Sequence, residues 1–503
     1  MKGTPPMSAQ PTPEPLEIPV GDGVTLSALR YPAAQHPAPA VVTFTPYRKE
    51  SPFGYFVTAP LAHDIGCDLI VVDTLGTGAS GGVWDGPYSP TEITAAAQAL
   101  EWIAEQPFNT RRTALLGASY PGGIQYLIAA RKPRGLRCIT PQIAPVDSYR
   151  DLWHRGGMPS HTNWGAFVAN LHQHRADARN NILTDFFTKT SADLYDSDRF
   201  RNRSGENVLG DIEVPALVTG GWYDYFLRAT IHAFDRLSVP KRLFIGNGCH
   251  EEVSPAPEAE QIRRWLAYWL LDEGDDPTEG DNVVLQLVGT DEWVSYPDWP
   301  ATEKLQWQSW NPISTPAPVP VVTSPQVVPP AHPSHLPIHH DMYTDSGMRL
   351  WGEMWTAQSD PVAETTRYRG PVALRVELQT ESATDLDLHA RLSLVRGDGT
   401  VHQVTEGRLR ASQREVDIDR SLLTGDGEIA WPWHTHETAT PLVPGEATTV
   451  DIEIFPIHLQ LEPGDRVQIG LSIARKDPVV APETITLLPG TRVLLPRETG
   501  PVA

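Results

Sequence analysis

A serine flanked by small residues stands where an apolar run gives way to a helix-like pattern. The run Leu115–Gly123 reads L-L-G-A-S-Y-P-G-G, with Ser119 at its centre. A serine on a tight strand-to-helix turn exposes its hydroxyl above a sheet, and the helix N-terminus behind it stabilises negative charge on a reacting oxygen. The common pattern G-x-S-x-G has glycine where this chain has Pro121. The run predicts a nucleophile elbow, with a simple glycine turn as the alternative.

An acid and a histidine follow the serine in the order that an α/β-hydrolase requires. Asp224 comes just after the strand-like run 214–220, and His250 comes after a second such run, 242–246. Catalytic groups of open α/β sheets lie beyond the carboxyl ends of the strands. His250 would take the proton of Ser119 and return it to the leaving group, while Asp224 orients the imidazole. Taken alone, Asp224 could be a helix cap and His250 an ordinary loop residue. Together with Ser119, their order and spacing predict a catalytic triad.

Further motifs carry a resemblance to a known family. They are D-G-V-T-L at 22–26, T-P-Y at 45–47, D-T-L-G-T-G-A-S-G at 73–81, G-A-S-Y at 117–120, G-W-Y-D at 221–224, and His250. With these motifs most of the chain resembles the cocaine-esterase-like branch (CocE/NonD type) of the X-Pro dipeptidyl-peptidase (S15) family of serine hydrolases. The elbow of that family also reads G-x-S-Y-x-G, so Pro121 fits the pattern.

The resemblance implies roles for two tyrosines. In the family, the tyrosine of the early motif and the backbone N–H after the serine donate to the oxyanion, and the matching residues here are Tyr47 and Tyr120. A phenol keeps its proton at neutral pH and is therefore a suitable donor. The other interpretation of Tyr47 is an aromatic core residue after a strand.

Composition and charge exclude several classes of protein. A chain of 503 residues with 40% hydrophobic residues is long enough for two or three domains. Its net charge of -22 argues against nucleic acid as a partner. We find no run of about 18 apolar residues and no apolar leader, so neither membrane insertion nor secretion is expected. Because the three cysteines are few and scattered, we expect a cytoplasmic location. The expected assembly is a homodimer, which is the commonest oligomer.

The first region, residues 1–145, alternates strand and helix patterns. Residues 39–44 and 67–72 are short apolar runs rich in β-branched residues, as in buried parallel strands. The sequence S-P-T-E at 89–92 is a capping box before a helix with one apolar face. This alternation predicts an α/β sheet, which continues in residues 211–315.

Residues 146–210 interrupt the alternation between the serine and the acid, and a helical cap over the active site is predicted there. Aromatic residues of the cap and of the loop around Asp224 are candidates for lining the substrate pocket, although each could equally pack in its own core. These candidates are Trp153, Trp164, Phe167, Trp222, Tyr225 and Phe226.

Residues 316–503 are predicted to form a proline-rich connector followed by an all-β domain. The connector spans the prolines of 312–337. Beyond it, hydrophobic residues alternate with a period of two in runs separated by turns, which predicts a β-sandwich; these runs are 372–378, 389–395 and 467–473. The family resemblance makes this domain a jelly roll, and we expect its role to be structural.

Two patterns suggest cofactors without the context that a cofactor site needs. The sequence G-T-G-A-S-G at 76–81 matches a dinucleotide fingerprint, but no helix opens at its glycines, so no nicotinamide cofactor is expected. A histidine-rich tract is interrupted by prolines and has no cysteine nearby, so no metal site is predicted; its residues are His332, His335, His339, His340 and Asp341.

The reaction predicted from these residues is transfer of an acyl group from a small ester or amide to Ser119 and then to water. A peptidase or amino-ester hydrolase must bind a substrate ammonium, for which cap carboxylates such as Asp147, Asp151 and Asp185 are available. The apolar residues after Asp224 favour a carboxylic ester. Xaa-Pro dipeptidyl-peptidase and α-amino acid ester hydrolase remain alternatives, as do an acyltransferase with the same triad and, more remotely, a carbohydrate-binding protein.

Overall fold

The computed structural model describes residues 12–51, 59–159, 189–190, 192–250, 256–300, 305–321, 355–474 and 484–499. These residues form two sheets of ten strands each, one built from the N-terminal part of the chain and one from the C-terminal part. A short two-stranded ribbon accompanies the second sheet.

The first sheet is parallel at its centre and antiparallel at both edges. Its strand order is β1-β2-β4-β3-β5-β6-β7-β8-β9-β10, and all pairs from β4 to β9 are parallel. The strands are β1 (Glu14–Pro19), β2 (Thr25–Tyr31), β3 (Ala38–Thr45), β4 (Asp68–Asp73), β5 (Asn109–Ala118), β6 (Leu136–Gln142), β7 (Ala216–Gly221), β8 (Lys241–Gly246), β9 (Val283–Gln286) and β10 (Trp293–Tyr296). The predicted α/β sheet is confirmed.

Helices cover both faces of this sheet, and this explains why every residue of β3 and β4 is buried. The α-helices are α1 (Ala59–His63), α2 (Pro90–Glu105), α3 (Tyr120–Ala129), α4 (Asp198–Arg201), α5 (Leu227–Arg236) and α6 (Ala256–Leu271). Helix α2 begins as predicted, because the Ser89 hydroxyl accepts the backbone N–H of Glu92. Among the described residues, no helix has the length and apolar character needed to cross a membrane.

The chain between β6 and β7 holds short helical turns. A π-helix spans Ser148–Trp153, and 3-10 turns span Arg155–Gly157 and Gly205–Asp211. Residues 160–188 and 191, which make up much of the predicted cap, lie outside the described residues.

The second sheet is antiparallel throughout, with the order β11-β22-β14-β19-β16-β15-β20-β13 and the pair β12-β21 joined to β14. Its strands are β11 (Leu305–Trp310), β12 (Ala317–Pro320), β13 (Trp355–Gln358), β14 (Thr366–Gln379), β15 (Asp387–Val395), β16 (Val401–Arg410), β19 (Ala447–Leu461), β20 (Arg466–Ala474), β21 (Thr484–Leu487) and β22 (Arg492–Glu498), while β17 (Leu422–Leu423) and β18 (Ile429–Trp431) form the ribbon. The predicted C-terminal β-domain is confirmed.

The start of this sheet differs from the sequence prediction. Strand β11 already pairs with β22, so the sheet takes in residues before 316. The prolines around 317–320 lie in β12, which pairs with β21, and are not part of a free connector. Proline is tolerated here because β12 pairs only with β21 among the described strands, so the N–H groups on its other edge need no partner.

Candidate active site

The turn that carries Ser119 is strained, and its neighbours are small enough to permit it. Ser119 lies between β5 and α3 with φ 61° and ψ -122°, a conformation that residues other than glycine rarely adopt. A Cβ added to Gly117 would lie 2.5 Å from Pro121, and one added to Gly122 would lie 2.8 Å from the Cβ of Ala144. Pro121 fits because the first turn of a helix needs no N–H from it. The geometry is that of a nucleophile elbow.

A chain of two hydrogen bonds joins the serine, the histidine and the acid. The Nε2 atom of His250 lies 2.9 Å from the Oγ of Ser119, and its Nδ1 atom lies 2.7 Å from Asp224 Oδ2. The second carboxylate oxygen of Asp224 accepts the backbone N–H of Phe226 at 2.6 Å, and the Asp224 side chain is buried. With Nδ1–H donated to the acid, Nε2 is left to accept the serine proton.

Three neighbouring strand ends bring these side chains together. Ser119 follows β5, Asp224 follows β7 and His250 follows β8, and these strands run parallel with β6 among them. The loops after β7 and β8 are tied, since the N–H of Trp222 donates to Gly246 O at 2.9 Å and that of Tyr223 to Gly248 O at 3.1 Å. The two loops therefore hold the acid and the histidine in fixed register.

The two predicted oxyanion donors are neighbours of each other, and Tyr120 directly follows the serine. Tyr120 is the first residue of α3, where backbone N–H groups point out of the helix end. Tyr47 follows β3 by two residues, and its ring meets that of Tyr120 edge to face, with centroids 6.2 Å apart. Burial raises the pKa of the Tyr47 phenol, so the hydroxyl keeps its proton and remains a donor at neutral pH.

A buried ion pair holds the loop that carries Tyr47. Asp73, at the end of β4, accepts the backbone N–H of Lys49 at 2.6 Å and its Nζ at 3.0 Å. The same carboxylate accepts the N–H of Ala79 at 2.9 Å, so the glycine-rich loop 73–81 closes around it. A Cβ on Gly78 would collide with this carboxylate, which is the structural reason for that glycine. The glycine-rich sequence at 76–81, which resembles a dinucleotide fingerprint, thus helps to hold the loop that carries Tyr47.

Two of the predicted pocket residues lie against the imidazole. The ring of Tyr225 stacks on that of His250 with centroids 4.2 Å apart, and Phe226 meets it edge to face at 5.5 Å. Arg155 donates to the backbone carbonyl of Tyr225 and lies over the ring of Phe455 in the second sheet. The residues after the acid therefore form an aromatic wall around the histidine.

Trp153 and Trp222, two further candidates for the pocket lining, are both buried and contact other elements of the fold. Trp222 is 3% exposed, donates its Nε1–H to Gln286 O at 2.6 Å and packs near His458 of the second sheet. Trp153 is 2% exposed and packs with Tyr149 in a small separate cluster. Trp164 and Phe167 lie outside the described residues.

One buried carboxyl next to the site, that of Glu92, is part of no catalytic motif in the sequence. Glu92 is 1% exposed, and both of its carboxylate oxygens lie within 2.8 Å of the Tyr120 hydroxyl. A capping box would turn this carboxylate back to the Ser89 N–H, which is how S-P-T-E is normally interpreted. The signal that could have revealed it is helical spacing, because Glu92 shares the buried stripe of α2 with Ala99 and Ile103.

The described residues contain no group of three or more His, Cys, Asp or Glu side chains arranged to hold a metal ion. The histidine-rich tract at 332–341 lies outside them. The three cysteines, all within the described part of the chain, are buried and form no disulfide bond, and burial raises the pKa of the Cys67 thiol to about 12.

The fold and the order of the three side chains define the class of α/β-hydrolases. The family model for X-Pro dipeptidyl-peptidase (S15 family) matches residues 22–252, and that for the X-Pro dipeptidyl-peptidase C-terminal non-catalytic domain matches residues 352–484. These two regions cover more than half of the chain, which belongs to the X-Pro dipeptidyl-peptidase (S15) family.

Among characterised relatives, cocaine esterase of Rhodococcus sp. (strain MB1 Bresler) is 26% identical over 342 residues, which are 56% of this chain and 59% of that protein. The match thus spans less than two thirds of the relative. A CocE/NonD family hydrolase from Staphylococcus aureus has a similar structure, with a TM-score of 0.80 at 18% identity over 96% of this chain and 93% of that one. An α-amino acid ester hydrolase has a TM-score of 0.77 at 15% identity over 99% of both chains. At these identities the structures establish a shared fold.

Proposed function

We propose that the protein is a serine hydrolase that cleaves a carboxylic ester through an acyl-enzyme on Ser119. The observation that carries the proposal is the hydrogen-bond chain from Asp224 through His250 to Ser119, at 2.7 and 2.9 Å. A nucleophile, its base and the group that orients the base are the minimum set for this chemistry. Membership of the S15 family and the similarity to cocaine esterase support it.

In the first half-reaction, the Oγ of Ser119 attacks the ester carbonyl while Nε2 of His250 takes the serine proton. The negative charge that develops on the carbonyl oxygen is stabilised by the Tyr120 N–H and the Tyr47 hydroxyl. The carbon–oxygen bond to the leaving group then breaks, and the imidazolium returns its proton to the departing alcohol. Asp224 stabilises the imidazolium throughout without being protonated.

In the second half-reaction, water replaces the alcohol. His250 removes a proton from the water, whose oxygen attacks the acyl carbon, and the same two donors stabilise the second tetrahedral intermediate. When the bond to Ser119 breaks, its oxygen recovers the proton from the imidazolium, and the carboxylic acid leaves. The residues end in the state in which they began.

Paired cap carboxylates favour an ester over a substrate with a free ammonium. Asp147 is 2.8 Å from Arg150, and Asp151 is 3.0 Å from Arg228. A carboxylate already neutralised by a buried arginine attracts a second cation weakly. Asp185, the third carboxylate considered, lies outside the described residues. The aromatic wall of Tyr225 and Phe226 supports an acyl or alcohol group without charge.

A dipeptidyl-peptidase that releases Xaa-Pro is the second candidate. The specific support is the family model, which matches 22–252 under that description. The same triad can cleave an amide, because the acylation chemistry differs only in the leaving group.

Two chromogenic substrates separate these candidates: a short-chain nitrophenyl ester and an Xaa-Pro nitroanilide. We expect ester turnover by the wild type, a loss of at least about a thousandfold in kcat for Ser119→Ala, and no anilide turnover. Cys249→Ala is the control, because this thiol is buried in the core beside the histidine and has no part in the mechanism. Anilide turnover that depends on Ser119 would assign the dipeptidyl-peptidase, and ester turnover that survives in Ser119→Ala would refute the proposal.

A further inference from the structure

We propose that Glu92 is a positioning residue of the oxyanion hole, which acts by holding the hydroxyl of Tyr120 and through it the backbone N–H that receives the substrate's negative charge. This inference rests on the proposed function, because it assigns Glu92 a role in the same reaction. Glu92 touches neither Ser119 nor His250 among the described contacts, and its effect passes through Tyr120.

The first support is the contact itself. The Tyr120 hydroxyl donates to Glu92 at 2.7 Å from Oε1 and 2.8 Å from Oε2. Both side chains are almost completely buried, with exposures of 1% for Glu92 and 3% for Tyr120. A hydrogen bond to a buried carboxylate is short and strong, and losing one partner there is costly. The carboxylate therefore fixes the outer end of the tyrosine ring.

The second support is that the ring of Tyr120 connects both oxyanion donors. On one side it packs against Tyr88, with centroids 4.5 Å apart, and on another it meets Tyr47 at 6.2 Å. The hydroxyl of Tyr88 also donates to the backbone carbonyl of Tyr120 at 3.3 Å. A ring held at its hydroxyl and at its backbone cannot rotate freely, so the Tyr120 N–H and the Tyr47 phenol keep their relative positions.

The third support is the position of Glu92, which lies among the loops around the serine. Besides Tyr120, the side chain of Thr74 and the backbone N–H of Tyr88 lie close enough to its carboxylate to favour the ionised form. Thr74 follows Asp73, whose carboxylate holds the Tyr47 loop. One buried acid therefore lies where α2, the 73–81 loop and the elbow helix meet, and it is tied to the elbow helix through the Tyr120 hydroxyl. Oxyanion donors accelerate a reaction only when they are fixed in advance, and such a tie supplies this rigidity.

The charge of Glu92 gives the role a measurable signature. Burial raises the pKa of this carboxyl to about 7, while the hydroxyl groups of Tyr120 and Thr74, the N–H of Tyr88 and the charge of Arg203 oppose the rise. The ionised carboxylate accepts hydrogen bonds at both oxygens, whereas the protonated acid has one oxygen that donates. The contact with Tyr120 is therefore strongest above about pH 7.

The test compares Glu92→Gln, Tyr120→Phe and the double variant with the wild type, using the nitrophenyl ester and a phosphonate that labels Ser119. We expect each single variant to lose about tenfold in kcat with little change in KM, because the lost contact matters mainly in the transition state. The double variant should lose little more than Tyr120→Phe alone, since Glu92→Gln weakens, by removing the charge, the same hydrogen bond that Tyr120→Phe removes. The dependence of kcat on an ionisation near pH 7 should weaken in Glu92→Gln.

Glu101→Gln is the matched control, because Glu101 lies on the same helix but faces Arg134 at the surface. Tyr120→Phe removes a single oxygen and keeps the test decisive if Glu92→Gln fails to fold. If folded Glu92→Gln and Tyr120→Phe keep the wild-type kcat, pH profile and phosphonate labelling rate, the role of Glu92 is refuted. The proposed function would stand in that case. A wild type that neither turns over ester nor is labelled at Ser119 would overturn the proposed function, and the role of Glu92 with it.

Discussion

The proposed chemistry depends on which nitrogen of His250 carries a proton. Asp224 fixes this choice by accepting Nδ1–H at 2.7 Å, and its other oxygen is held by the Phe226 N–H. An amide in place of the carboxylate can donate to Nδ1 and so favours the wrong tautomer. The geometry of the site would be kept while its base is lost.

Asp224→Asn should therefore lower kcat by about 10⁴-fold near neutral pH without unfolding the protein. The measurement is ester turnover at saturating substrate, together with thermal melting. Asp235→Asn is a suitable control, because Asp235 lies on the exposed side of the following helix. Activity of Asp224→Asn within tenfold of the wild type would contradict the assigned role.

The raised pKa of the Glu92 carboxyl also predicts that the stability of the protein depends on pH. The pKa of its carboxyl rises from 4.5 to about 7 on folding, so the native state binds more protons than the unfolded state between these values. The free energy of unfolding of the wild type, relative to Glu92→Gln, should then fall by about 3 kcal/mol as pH rises through this range. Urea denaturation of both proteins at pH 4.5 and pH 8 measures this, and a difference that does not change with pH would disprove it.

The triad residues can be predicted from the sequence because each leaves a local trace. Ser119, Asp224 and His250 are residues of reactive type at the ends of apolar runs, in the required order. Glu92 leaves a weaker trace, namely the helical spacing that places it on the buried face of α2, and S-P-T-E already has an explanation as a helix cap. Its partner, Tyr120, is 28 positions away and is brought near only by the fold.

At the scale of elements, β4 supports the site through the aspartate at its carboxyl end. Asp73→Asn should leave the buried Lys49 ammonium with only the half-exposed carboxylate of Glu50 as a charged partner, and should displace the loop of Tyr47. We expect a loss of about tenfold or more in kcat, since one oxyanion donor moves. Kinetics at a temperature well below melting give the measurement.

Asp68→Asn provides a control at the other end of the same strand. Asp68 is equally buried and is 2.7 Å from Arg30, but it lies away from the catalytic edge. Its substitution should lower the melting temperature while kcat stays near the wild-type value. Equal losses of kcat in Asp68→Asn and Asp73→Asn would show that Asp73 acts through general stability alone.

Elements buried on both faces are the ones that the sequence predicts well. The short apolar runs correspond to β3, β4, β7 and β8 within one or two residues, because a parallel sheet covered by helices needs continuous apolar strands. Strand β11 (L-Q-W-Q-S-W) escapes prediction, since most of its residues are partly or fully exposed. The orientation of the Trp222 side chain is also not predictable, because no local sequence pattern indicates that its indole turns toward Gln286.

At the scale of the whole molecule, the second sheet supports the loop that carries the acid. Arg228, one turn after Asp224, donates to Glu453 of β19 at 2.7 Å. His458 of the same strand lies beside Trp222, and burial lowers the pKa of its imidazole to about 3, so it stays neutral. The C-terminal domain thus contacts α5 and the acid loop directly.

Glu453→Ala should destabilise the protein by about 2 kcal/mol, because it removes a hydrogen bond between charged groups in a largely buried position. Glu437→Ala removes a comparable pair with Arg201 at the surface and should cost less than about 1 kcal/mol. Chemical denaturation measures both values, and equal costs would mean that the Arg228 pair does not hold the two sheets together. Partners more than two hundred positions apart, as Arg228 and Glu453 are, cannot be paired from local sequence patterns.

The most direct test of the central claim is peptide mapping by mass spectrometry after reaction with a phosphonate, and after acid quenching during turnover of a slow ester. We expect one phosphonyl adduct and one acyl adduct, both on the peptide that contains Ser119, and neither in Ser119→Ala. An adduct on another residue, or ester hydrolysis by a protein in which Ser119 stays unmodified, would contradict that claim.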